Sequence, residues 1–261
     1  MTWLAVWLIG VATADLARAG GRPLVLRGSV VLGSVLVGAG VIAVVAVLAG
    51  LTAPADLVAL AASIVPLTLW IRFSAQAVTT GAGHWPALAA LAAGTVWLVA
   101  FSGWGSRAGG LLEQWLEWAD LPVVGEGTST ARVLLVLGLL LVNLSTANVL
   151  VRLVLVSVGA MRPVHRIGNG TEPQPSDQLR GGRLLGPMER LLILGLGLSG
   201  QLTAAGLVIA AKGLIRFPEL QSKRDERTTV EGVGIDEVTE YFLVGSFVSW
   251  LLALGSLALT R

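Results

Sequence analysis

Arg190, Gln201 and Lys212 follow one another at intervals of eleven residues inside a largely apolar run, Glu189 to Phe217. Eleven residues are close to three helical turns, so one continuous helix would point all three side chains the same way. Ionisable and amide groups in such a run face the interior of a helix bundle or a wet cavity, not lipid. The chemistry open to them is of two kinds. They tie helices together, or they line a site for a hydrated solute or ion.

Two other segments carry matching groups. Residues 132–156 hold Asn143, Ser145, Thr146, Asn148 and Arg152. Asn148 and Arg152 lie one turn apart on one side, with Asn143 and Thr146 nearly opposite. A span polar on both sides belongs at a bundle centre, where Asn143 would sit at a depth similar to Gln201. Residues 240–259 begin with Glu240 and then place Gly245, Ser249, Leu252 and Ser256 at helical spacing, a mostly small stripe that allows close helix approach. An antiparallel hairpin of the last two spans puts Glu240 beside Lys212 or Arg216 at one membrane edge. Glu189 and Arg152 would form a matching clasp at the other edge. The candidate polar core or transport site is thus Asn143, Asn148, Arg152, Gln201, Lys212 and Glu240, and Glu189 and Arg216 are candidate structural ion-pair residues.

Reaction chemistry has little to stand on. There is no cysteine, which removes disulfides, thiolate metal sites and cysteine nucleophiles. The two histidines, His84 and His165, sit near loops, and no HExxH or other ligand spacing surrounds them. No GxSxG elbow or Walker loop occurs. Gly195-Leu196-Gly197-Leu198-Ser199-Gly200 superficially resembles a dinucleotide fingerprint, but it follows no strand and reads as helix packing. No catalytic, cofactor-binding or metal-binding residue is assigned. A net charge of +2 gives no case for nucleic acid.

The elements that position these groups are membrane spans. Of 261 residues, 54% are hydrophobic and 13% charged, against about 25% charged in soluble domains. The mean hydropathy is +0.79. Seven stretches are long enough to cross a bilayer: 2–17, 28–51, 57–73, 86–104, 132–156, 190–212 and 240–259. The first is the weakest, ending in Asp15 and Arg18. It lacks the basic start of a signal peptide although Ala12-Thr13-Ala14 resembles a cleavage site. The expected fold class is an all-α polytopic membrane bundle of about seven helices. It divides into an N-terminal membrane region 1–160, a flexible polar loop 161–188 and a C-terminal hairpin 189–261. Counting basic residues loop by loop favours odd loops and the C-terminus inside, though the loop after the sixth span argues the other way. Trp70, Trp85 and Trp104 mark predicted span ends, and Pro66 kinks the third span. In the second span Ser29, Gly33, Ser34 and Gly38 make small-residue packing pairs.

Between spans four and five, Leu111 to Leu121 reads as an amphipathic helix, with Leu111, Trp115 and Trp118 on one side and Glu113, Glu117 and Asp120 elsewhere. Its acids disfavour anionic lipid, so an outer surface or a protein partner suits it better. Arginine outnumbers lysine sixteen to two in a chain rich in Ala, Gly, Val and Leu, which suggests a GC-rich bacterial genome.

The C-terminal portion resembles a group of bacterial polytopic membrane proteins of unknown function. The resemblance rests on Leu179-Arg180-Gly181-Gly182-Arg183, Gly186-Pro187-Met188-Glu189-Arg190-Leu191, Gly200-Gln201, Ala211-Lys212 with Arg216-Phe217, and Glu240-Tyr241-Phe242-Leu243 with Gly245 and Ser249. Asn148 to Arg152 is similar as well. It implies no substrate, cofactor or catalytic residue. It implies that Glu189, Lys212 and Glu240 form one framework. Some of these proteins carry a His and Asp pair in the first helix. Here Asp15 has no such histidine, so no role is carried over. The resulting expectation is a non-enzymatic component of the bacterial cytoplasmic membrane, with its C-terminus inside, that scaffolds or assists a protein partner. The alternative is a small-solute or ion transporter built on the polar core.

Overall fold

The computed structural model describes residues 1–19, 28–120, 127–161, 166–167, 170–171, 182–225 and 235–260. Its architecture is α-helical: α1 Thr2–Ala19, α2 Gly28–Leu48, α3 Pro54–Thr80, α4 His84–Ala100, α5 Gly110–Ala119, α6 Thr130–Leu144, α7 Thr146–Ser157, α8 Gly182–Leu198, α9 Leu202–Asp225 and α10 Ile235–Leu259. A two-residue antiparallel ladder, Arg166–Ile167 with Gly170–Thr171, lies in the stretch expected to be a polar loop. Within that stretch residues 162–165, 168–169 and 172–181 are outside the described residues, as is the side chain of Arg216.

Four helices, α1, α2, α3 and residues 239–259 of α10, are long and apolar enough to cross a membrane, and the bent pair α6–α7 makes a fifth. This is a membrane protein. The seven uninterrupted spans expected from hydropathy are not all there. The fifth breaks at Ser145. The sixth is two helices, α8 and α9, separated by Ser199, Gly200 and Gln201. The helix pattern also divides the chain into two compact units. One comprises residues 1–75, 85–146 and 260; the other comprises 76–84, 147–259 and 261.

In the first unit, α1 is the central helix. Trp3, Leu4, Trp7, Ile9, Val11 and Ala14 are all buried. Helices that are apolar all round belong inside a bundle, and glycines on the neighbours let them close on α1. Gly38 of α2 lies against the Gly10 carbonyl and the Ala14 methyl, Gly94 of α4 lies against the Trp7 ring, and Gly138 of α6 lies against Ala5 and Leu8. α1 and α3 run parallel, stitched by polar contacts of increasing residue number. Trp3 Nε1 donates to Asp56 Oδ1 (2.6 Å), Trp7 Nε1 to the Ser63 carbonyl (3.1 Å), Trp70 Nε1 to Asp15 Oδ2 (3.1 Å) and Arg18 to Ser74 Oγ (2.9 Å). Asp15 also pairs with Arg18 at 2.5 Å. Trp70, expected at a span edge, is therefore a buried partner of Asp15; Trp85 and Trp104 are exposed.

In the second unit, α8 and α9 fold back on each other. Gly200 takes φ +77°, the left-handed conformation that glycine adopts without a Cβ penalty. Its N–H donates to the Gly197 carbonyl (3.1 Å) and that of Gln201 to the Leu196 carbonyl (2.8 Å). This pair of bonds is the Schellman termination of α8. α10 runs alongside α8 in the same direction. Arg190 meets Ser249, and Gly197 meets Leu257. α7 runs the opposite way to α10: Leu155, Ala160 and Met161 form a cluster with Tyr241 and Val244.

Candidate functional site

The polar groups of the second unit gather between two apolar clusters along α10. One cluster holds Ile193, Ala205 and Ala253 with Leu196, Val208, Ile209 and Trp250. The other is the α7–α10 cluster around Leu155 and Tyr241. Between them lie Asn148, Glu189, Arg190, Lys212 and Ser249, against Trp250 of the first cluster.

The fold-back explains how they meet. Glu189 is eleven residues before Gly200 and Lys212 eleven after Gln201. A hairpin closing at Gly200 lays these two positions side by side, about 14 Å from the turn at 1.5 Å per residue. Lys212 Nζ bonds Glu189 Oε2 at 2.5 Å. Trp250 Nε1 donates to the other carboxylate oxygen at 2.7 Å. The ammonium also lies 5.8 Å from the Trp250 ring and 5.9 Å from that of Phe242, within the range of cation–π attraction. Arg190, next to Glu189 in sequence, is only 2% exposed. Its guanidinium donates to Ser249 Oγ (3.0 Å) and to Asn148 Oδ1. Four helices therefore hold one network: α7 through Asn148, α8 through Glu189 and Arg190, α9 through Lys212, and α10 through Ser249 and Trp250.

The sequence-based candidates fare differently. Lys212 is in the network, but its carboxylate partner is Glu189 on α8, not Glu240, which is exposed on α10. Glu189 correspondingly pairs with Lys212, not with Arg152. Asn148 joins through Arg190. Gln201 is exposed at the hairpin turn and cannot share one helix face with Arg190 and Lys212, because no single helix contains the three. Asn143 belongs to the first unit, where it is fully buried and its Nδ2 donates to the Leu139 carbonyl of its own helix (2.9 Å). Arg190, Ser249 and Trp250 are not among the core candidates that sequence reasoning picks out, although Arg190 stands out as a polar marker in its run.

Asp15 and Asp56 have no role in the sequence-based reading either, yet both are buried, at 2% and 0% exposure. Asp56 Oδ1 receives Trp3 Nε1 and the Ser106 N–H (3.0 Å), tying α1, α3 and the 102–106 segment together. Their sequence signal is a lone acid at a span end with tryptophans available on other spans, which spacing within one helix does not reveal. Among the described residues no group of three or more His, Asp or Glu side chains is placed to hold a metal ion. Compared with known protein families, curated proteins and solved structures, the chain matches none.

Proposed function

We propose that this chain is a non-enzymatic membrane component that holds a helical framework for a protein assembly. The observation that carries this reading is the inward direction of the charged network: Glu189, Arg190 and Lys212 make their bonds to Trp250, Ser249, Asn148 and one another, across four helices of one unit. Ionisable groups engaged in this way hold a packing arrangement in place. Asp15 and Asp56 do the same in the first unit. The membrane is taken to be a bacterial cytoplasmic membrane, in line with the arginine-rich, lysine-poor composition and with the resemblance of the motif order to that of the bacterial group.

The test is purification of the full chain from its native membrane in a mild detergent after chemical cross-linking. The expected result is a protein partner at fixed stoichiometry that persists when Arg190→Gln is introduced in a folded background. Recovery of the chain alone from every preparation would sink the reading.

The second reading, a solute or ion transporter, draws on one specific observation. Three ionisable side chains sit together near the middle of the apolar stretch 239–259 of α10, and charges at such depth are functional by default. Ion flux in proteoliposomes that disappears in Arg190→Gln, with the melting temperature retained, would establish it over the first.

A further inference from the structure

The chain between α4 and α6 is fastened to the ends of three spans. Thr2 Oγ1 donates to the Ser106 carbonyl (3.4 Å), the Ser106 N–H donates to Asp56 at the start of α3, and the Gly109 N–H donates to the Ala49 carbonyl at the end of α2 (2.9 Å). Gly110 approaches Gly50 so closely that an added Cβ would stand 3.0 Å from the Gly50 nitrogen. The helix that follows, α5, is thus fixed at the level where α1 and α3 begin and α2 ends.

Three stripes run along α5 when successive residues are turned by about 100°. Leu112, Leu116 and Ala119 are half-buried and form the flank against the bundle. Leu111, Trp115 and Trp118 lie roughly a quarter turn away and are 61%, 48% and 81% exposed. Glu113, Glu117 and Asp120 lie on the side opposite this stripe. One flank is held by protein, one presents large apolar side chains outward, and the far side is acidic. Trp104, 74% exposed beside Phe101 at a centroid distance of 5.3 Å, continues the aromatic surface where α4 ends.

We propose that α5 is an interfacial helix seated in the headgroup layer of the bilayer, with Leu111, Trp115 and Trp118 in the acyl boundary and the acidic stripe in water. The occupant of the apolar stripe is lipid. Attachment to three span ends places the stripe at membrane level, where tryptophan partitions best, and the acids on the opposite side leave its apolar contact uncharged. The acidic stripe favours zwitterionic over anionic headgroups. The helix acts as a collar that sets the depth of α1, α2 and α3.

The absence of cysteine makes the test direct. Single variants Leu111→Cys, Trp115→Cys, Trp118→Cys, Glu113→Cys and Glu117→Cys of the full chain are spin-labelled and reconstituted in phosphatidylcholine vesicles. Collision rates with oxygen and with a water-soluble nickel chelate are then compared. The oxygen-to-nickel ratio should be several-fold higher at 111, 115 and 118 than at 113 and 117. Equal nickel access to both stripes would overturn the proposal by placing the helix in water. Shielding of the 111, 115 and 118 labels from both reagents would overturn it in favour of a covering protein or a second copy. Because all five positions are exposed, the substitutions remove no packed side chain.

Discussion

Lys212 and Glu189 illustrate how a charged pair is decided by more than residue type. Each side chain is mostly removed from solvent, at 14% and 7% exposure, so deleting one partner strands the other. Losing one member of a buried pair costs roughly 3–5 kcal/mol. Glu189→Gln and Lys212→Met should each lower the unfolding free energy in detergent by an amount in that range. Glu240→Gln, at an exposed position, should change it by about 0.5 kcal/mol or less. Exchanging the two charges, Glu189→Lys with Lys212→Glu, should recover part of the loss. If Glu240→Gln proved as damaging as Glu189→Gln, the pairing of Lys212 with Glu189 would be wrong. The sequence announces the charges and their shared importance but points to Glu240 as the partner, because a pairing partner depends on which chain segments lie side by side.

Glycines make the same point without charge. Gly94 leaves room for the buried Trp7 ring, which an added Cβ would approach to 2.6 Å. That ring is also held by its bond to the Ser63 carbonyl, so it cannot move aside freely. Gly94→Ala should cost about 1–3 kcal/mol as an overpacked site. Gly33, one of the small residues on α2, has open space for 4 Å around the point where an added methyl would stand. Gly33→Ala should stabilise α2 by up to about 1 kcal/mol through helix propensity. Thermal unfolding of the two variants side by side separates a glycine used for packing from one that is not.

At the scale of the element, the hairpin α8–α9 is the feature hydropathy alone conceals. The run 190–212 has the length and composition of a single span, and an eleven-residue polar spacing fits one straight helix. What breaks it is local: Ser199-Gly200-Gln201, with a glycine placed where a helix ends in the left-handed conformation. That signal is present in the chain but reads as packing, because a membrane helix tolerates glycine inside it. Apart from the break at Ser145 in the fifth expected span, the other apolar helices are legible from hydropathy to within a few residues at most ends. The central position of α1 is not, since its modest hydropathy reads as weakness although it suits a helix packed on all sides. The hairpin predicts an asymmetry between adjacent residues. Gly200→Val forces a β-branched side chain to φ +77° and should cost well over 1 kcal/mol. Gln201→Leu, exposed at the turn, should be close to neutral. A continuous polar core centred on Gln201 would give the reverse order, and unfolding midpoints of the two variants decide between them.

For the molecule as a whole, the fold-back changes the direction of the C-terminal end. α8 leaves from the end where α7 finishes, α9 returns to that end, and α10 then runs away from it alongside α8. The C-terminal ends of α7 and α9 and the N-terminal ends of α8 and α10, which the connections 158–181 and 226–234 join in sequence, therefore lie on one side however deeply the hairpin inserts. Those connections and the adjoining ends of α8 and α9 carry Arg162, Arg166, Arg180, Arg183, Arg216, Lys223, Arg224 and Arg227, whereas the hairpin turn carries none and the last residue is Arg261. With one straight sixth span, these basic residues split across both sides and their weight nearly cancels. With a hairpin they fall together, and the positive-inside rule gains its full leverage. The rule then predicts that end in the cytoplasm, where the seven-span reading also puts the connection after the fifth span, and both Gly200 and the C-terminus outside, where that reading expects the C-terminus inside. For the first unit, taken alone, the rule predicts that the Arg18 end of α1, which Arg22 and Arg27 follow in sequence, faces the cytoplasm and the α5 end faces away from it. Single-cysteine variants Ser199→Cys and Arg224→Cys, treated in intact cells with a membrane-impermeant maleimide, test this. Position 199 should label at once and position 224 only after permeabilisation. Labelling at 224 alone would restore the opposite orientation, and a position 199 that labels under neither condition would return residues 190–212 to a single span with its middle in the bilayer.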